Sequence, residues 1–265
     1  MHVACAPRRS AAAPGADAAS KRGALLPAGL WLLVAYLTAG EPLVGVVVAR
    51  RLRAGALSRP AVYRLIIAME IALAALAFGA ALATGASPAG VGLRLGNYRT
   101  LPGVAVGLAA GAAAGTLCAF ALGLVASRRA RPSGTARAVR RIGDFDHFLP
   151  ATSAERRLFA VMALAAGVCE ELVYRGFLIY ALNRGLPGLG APDLVVAAAL
   201  LFGLGHAYQG GLGMLGTAVI GGLMGAIYVA TGSLLVPMAV HALIDLRVLA
   251  LPVAPPAAPA AAVGT

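Results

Sequence analysis

Long apolar runs constrain this chain more than any other feature. They fall at about residues 25–48, 65–83, 104–126, 158–182, 194–208, 213–230 and 234–251. Most approach the roughly 20 residues a helix needs to cross a bilayer core; the run at 194–208 is short for a full span. Backbone N–H and C=O groups cannot stay unpaired in lipid, so runs of this length must be helical. Composition agrees: 60% of residues are hydrophobic, 12% are charged, and mean hydropathy is +0.85. A soluble domain carries about a quarter charged residues. The expected fold class is therefore all-α, a polytopic membrane bundle of about seven (six to eight) transmembrane helices within 23–251. The polar tail 1–22 and the Pro/Ala-rich tail 252–265 read as disordered, and 1–22 lacks the apolar core of a secretory signal.

The net charge of +12 raises the question of nucleic acid. No basic helix with interleaved aromatics supports that, so nucleic-acid binding is excluded. The arginines instead cluster between apolar runs, as they do in loops facing the cytoplasm. Thirteen basic residues in linkers 50–64 and 127–157 stand against seven on the opposite side of a seven-span chain. That balance places both linkers in the cytoplasm. One lysine beside 21 arginines points to a GC-rich bacterial genome, hence to a multi-pass protein of the bacterial inner membrane. Cys5, Cys118 and Cys169 have no metal-ligand spacing, and Cys169 reads as a small packing residue. In the linker, His147 reads as solvated, and Thr152 or Ser153 caps a helix with Glu155 in its first turn.

Ionisable residues inside membrane helices cost several kcal/mol unless paired or hydrated, and so mark a functional or structural site. The second half of the chain concentrates them. In "CEELVYRGFL", Glu171 and Arg175 are four apart and share a helix face, which suits an ion pair. Glu170 is turned by about 100° from Glu171 and points elsewhere. Phe202 and His206 are four apart in the next run, and His241 and Asp245 are four apart in the last. A cluster that merely bridges helices is one reading of the glutamates alone. Two histidines and a carboxylate on three helices are also the groups that bind Zn²⁺ or activate a water; the ligands would be Glu170, His206 and His241. Glu41 and Glu70, in the first two runs, fit an ion pathway or structural pairing with arginines such as Arg64.

Taken together, "CEELVYRGFL", "FGLGH" and "HALID" resemble the EExxxR, FxxxH and third His-containing motifs of the CPBP (CAAX protease and bacteriocin-processing, or Abi) intramembrane proteases. The approach "TGSLL…P…H" resembles that family too. The resemblance covers about 148–247, the expected catalytic core. It implies a peptide-bond hydrolase acting at or within the bilayer on a peptide or membrane-protein substrate, the eukaryotic members trimming prenylated CAAX proteins. It implies the site residues Glu170, Glu171, Arg175, His206, His241 and Asp245. Glu170 would activate the attacking water with His206, while His241 and Asp245 would line the far side of the scissile carbonyl. A metalloprotease holding zinc and a metal-free glutamate mechanism are both compatible with it. Asp245 departs from the eukaryotic pattern, which has Asn there. An ionised aspartate cannot donate to an oxyanion, so Asp245 must be protonated, orient His241, or ligate a metal. The competing readings are a catalytically idle scaffold or immunity factor, and an ion-coupled transporter.

Overall fold

The computed structural model describes residues 28–98 and 147–250. All regular elements among them are helical. Helix α1 is Ala28–Arg53 and α2 is Arg59–Ala83. Helix α3 starts at Ser153, runs to Glu171, widens into a π-helical stretch Leu172–Leu178, and ends with Ile179–Gly185. Helix α4 is Ala191–Gly205, α5 is Gly210–Thr231 and α6 is Leu235–Leu246, followed by a 3-10 turn Arg247–Ala250. Six of the seven apolar runs thus coincide with helices. The run at 104–126, both tails and most of the second basic linker lie outside the described residues. Three helical stretches are long and apolar enough to cross a membrane: Ala28–Arg53, Arg59–Ala83 and Ala207–Thr231.

Local chemistry explains the boundaries. Thr152, of the two candidates, caps α3: its Oγ1 accepts from the Glu155 N–H at 3.1 Å, and Glu155 Oε2 accepts from the N–H groups of Thr152 and Ala151. This reciprocal box satisfies donors that a helix start leaves open. Pro42 has no N–H to give the preceding turn, yet α1 does not break there. The chain widens into a π turn at Tyr36–Gly40 and re-enters α-helix at Glu41. Ser233 precedes α6: its hydroxyl accepts from the Leu235 N–H and donates to the Arg94 carbonyl at 2.7 Å.

Burial is inverted relative to a soluble protein. Leu32, Leu43, Leu76, Leu200, Leu212 and Val219 are exposed, whereas Glu171, Arg175 and His241 are buried. An apolar exterior around charged residues is the arrangement a bilayer solvent selects, and the chain is an integral membrane protein. Without a hydrophobic force between helices in lipid, close backbone packing holds them, through small residues. Gly167 of α3 lies against Ala242 of α6, where a Cβ would come within 2.7 Å of the Ala242 nitrogen. Gly203 of α4 lies equally close to the Met214 carbonyl of α5. The Gly167 contact sets the register that puts the glutamate pair of α3 beside His241.

Candidate active site

Glu171 sits at the junction where α3 changes from α to π geometry, with none of its surface exposed. Its Oε1 accepts from Arg175 Nη1 at 2.6 Å and from His241 Nδ1 at 2.8 Å. The expected Glu171–Arg175 pair is therefore present, and it is also the anchor of a histidine from α6. Arg175 spends its other arm on the backbone, donating from Nη2 to the Gly221 carbonyl at 3.1 Å. Its guanidinium carbon lies 4.2 Å from the centre of the Phe202 ring. A buried arginine is tolerated here because a carboxylate, a carbonyl and an aromatic face surround it.

Phe202 explains why an aromatic precedes His206 by one turn. Its ring lies 4.7 Å from the His206 ring and 5.8 Å from that of His241. Its carbonyl accepts from His206 Nδ1 at 2.8 Å. His206 itself is not inside α4 but caps it, ahead of a 3-10 turn Ala207–Gln209. A carbonyl can only accept, so His206 Nδ1 carries a proton and Nε2 presents a lone pair when the ring is neutral.

Both imidazoles turn Nε2 toward the second glutamate. Glu170 Oε2 is 3.9 Å from His206 Nε2 and 3.8 Å from His241 Nε2. That oxygen is buried and has no hydrogen-bond partner among the described residues. The two glutamates diverge: Glu171 spends Oε1 on Arg175 and His241 while its Oε2 is likewise buried without a partner among the described residues, and Glu170 aims Oε2 at the histidines. Asp245 Oδ2 is 3.7 Å from His241 Nε2, beyond hydrogen-bond reach, and about a third of its side chain is exposed. Of the ring nitrogens through which Asp245 could orient His241, Nδ1 is taken by Glu171 and Nε2 lies 3.7 Å from Asp245 Oδ2.

The donor set Glu170, His206 and His241 has the chemistry of a zinc site, each imidazole being held through Nδ1 by an acceptor. Its geometry is another matter. Neighbouring donors around a tetrahedral zinc with bonds of about 2.0–2.1 Å lie roughly 3.3 Å apart. The separations here are 3.8 and 3.9 Å. Among the described residues no group of three His, Cys, Asp or Glu is gathered to hold a metal ion. As placed, the side chains do not fit a zinc.

The site opens into a cavity of about 150 Å³ between α1 and α2. Its lining combines apolar residues such as Val44, Val48, Leu65, Ile66 and Met69 with the polar Glu41, Glu70, Glu170, His206 and Tyr208. His147 is exposed, as expected of a loop histidine, and also lines this cavity. Glu41 Oε2 accepts from the Tyr174 hydroxyl at 2.7 Å, tying α1 to α3. Tyr174 and Tyr208 carried no signal in the sequence beyond standing next to the charged motif residues. Arg64 is exposed and makes no ion pair with either Glu41 or Glu70 among the described contacts.

Residues 153–247 match the family model described as type II CAAX prenyl endopeptidase Rce1-like. Neither a curated protein nor a solved structure matches the chain.

Proposed function

We propose, from the premise that residues 153–247 carry the core of the CAAX-protease (CPBP) family, that this protein is an intramembrane endopeptidase whose water is activated by Glu170. The observation that carries the reading is the convergence of both His Nε2 atoms on the unpartnered Glu170 Oε2. A water there donates one hydrogen to Glu170 Oε2 and the other to the His206 Nε2 lone pair. Its own lone pair is then free for a carbonyl carbon.

Each step follows from the groups present. Water attacks the peptide carbonyl, a C–O bond forms, and its proton passes to Glu170. Negative charge develops on the carbonyl oxygen, and His241, doubly protonated with its Nδ1–H on Glu171, donates to it from Nε2. Glu171 holds the other nitrogen of that ring, so the imidazole is oriented before substrate arrives and can carry positive charge. Protonated Glu170 then delivers its proton to the amide nitrogen, the C–N bond breaks, and a carboxylic acid and an amine form, the acid passing its remaining proton to the amine as the products leave. The apolar cavity suits a substrate that brings lipid-like surface to the site. A prenylated cysteine followed by three C-terminal residues has that chemistry, and it is the substrate class the family description prints. The bacterial inner membrane is the proposed location.

The test is direct. Protein purified in detergent is incubated with a farnesylated fluorogenic peptide ending in CAAX and with its unprenylated counterpart, and products are read by mass spectrometry. Release of the C-terminal tripeptide by the wild type, and its loss in Glu170→Ala, is expected. Folded wild-type protein that cleaves neither peptide would favour an idle scaffold.

A further inference from the structure

We infer that Glu70 is a positioning residue for Glu170, supplied by α2 from outside the matched segment, an inference that rests on the endopeptidase reading above. Both side chains line one cavity, Glu70 from α2 and Glu170 from α3. The placement follows from helix periodicity. Ala74, Ala77 and Ala81 are buried, and they lie four, seven and eleven residues beyond Glu70, on one face. That face packs in the core cluster containing Val173, Tyr174 and Phe177 of α3. Three alanines bring the α2 backbone close to α3, and Glu70, one turn before Ala74, continues the same face into the site.

The other reading available to Glu70, pairing with Arg64, fails on the same geometry. Six residues separate them, about 120° apart around the helix, and Arg64 is exposed. Glu41, the remaining carboxylate of the cavity, is already engaged by Tyr174. Glu70 is left facing Glu170. Two carboxyl groups side by side do not both hold charge; one keeps a proton and donates it to the other. Because Glu170 Oε2 is turned to the histidines, the donor belongs on Glu70, and its hydrogen bond fixes the carboxylate that must face the water. Glu70 neither touches the scissile bond nor gains or loses a proton over a turnover.

Kinetics on the farnesylated peptide test this. Glu70→Ala is expected to lower kcat by about ten- to a hundredfold, the worth of a hydrogen bond to a charged group, with KM within about threefold. Glu70→Gln, which keeps an N–H donor at the same reach, is expected to recover most of that loss. A merely structural glutamate would not show rescue confined to kcat. Glu70→Ala with wild-type kcat, or Glu70→Gln no better than Glu70→Ala while folded, overturns the inference. Should Glu70→Ala not fold, Glu70→Asp decides: reduced kcat at unchanged KM supports the role, and wild-type kcat overturns it. Wild-type protein without cleavage, or Glu170→Ala with full activity, instead overturns the endopeptidase reading and this inference with it.

Discussion

Glu171 Oε1 and Arg175 Nη1 meet at 2.6 Å with 0% and 1% of their side chains exposed. Such a pair is costly to break from one side, because the survivor is a buried, unpaired charge. Arg175→Met is expected to destabilise the protein by about 3–5 kcal/mol. The double variant Arg175→Met/Glu171→Gln should recover part of that loss, since neither charge remains. Thermal unfolding in detergent with the two single variants and the double measures the coupling. Simple additivity would mean the pair contributes no interaction of its own.

Phe202 touches Arg175 and both histidines, so its removal should disturb stability and chemistry together. Phe202→Ala is expected to cost about 3–5 kcal/mol, as for other buried aromatics. Phe202→Leu keeps most of the volume but loses the aromatic face under the guanidinium. It should fold and yet lower kcat. Full activity in Phe202→Leu would show that the ring only fills space.

The two histidines should fail differently. His241→Ala removes the donor assigned to the developing oxyanion and unpairs buried Glu171, so both kcat and stability should fall. His206→Ala removes the Nε2 lone pair beside Glu170 Oε2 and the hydrogen bond to the Phe202 carbonyl. It should lower kcat by about 10²- to 10⁴-fold, the usual worth of a positioned acid–base group, with the smaller stability change. Equal losses of stability in the two variants would contradict the division between them.

What could be read without coordinates was the part written as spacing. Glu171–Arg175 and Phe202–His206 are four apart on helices, so their shared faces follow from 3.6 residues per turn. The apolar runs located six helices for the same reason. Interhelical facts were not legible. Nothing in the spacing says that His241 Nδ1 meets Glu171 and not Asp245; that depends on the Gly167–Ala242 approach between α3 and α6. Glu41 and Glu70 stood out as charges in apolar helices, but whether they faced Tyr174, Glu170 or Arg64 depended on how α1 and α2 pack. His206 moved to a helix end because Gly205 and Gly210 flank a turn that a hydropathy run cannot show.

The Gly167–Ala242 contact is itself open to test. A Cβ at residue 167 would lie 2.7–2.8 Å from the nitrogen, Cα and Cβ of Ala242, which are too rigid to yield. Gly167→Val should force α6 away from α3, at about 1–3 kcal/mol or more, and carry His241 from Glu171. Activity should therefore fall further than the stability loss explains. Gly167→Val paired with Ala242→Gly, which removes one of the clashing methyl groups, should recover only part of the loss.

Metal dependence separates two routes that share the same residues. The donor separations of 3.8 and 3.9 Å from Glu170 to His241 and His206 are wider than the roughly 3.3 Å between neighbouring ligands of a tetrahedral zinc. Exhaustive treatment with a chelator is expected to leave cleavage within about twofold, because a water held by carboxylate and imidazole needs no Lewis acid. The comparison requires metal content and activity on one preparation, before and after treatment. If one equivalent of zinc is lost along with the activity, and zinc alone restores both, then the histidines close around an ion and Glu170 serves as ligand, not base. If activity persists, His206→Ala and His241→Ala report on hydrogen bonding to water and oxyanion, and their losses cannot be rescued by any added divalent ion.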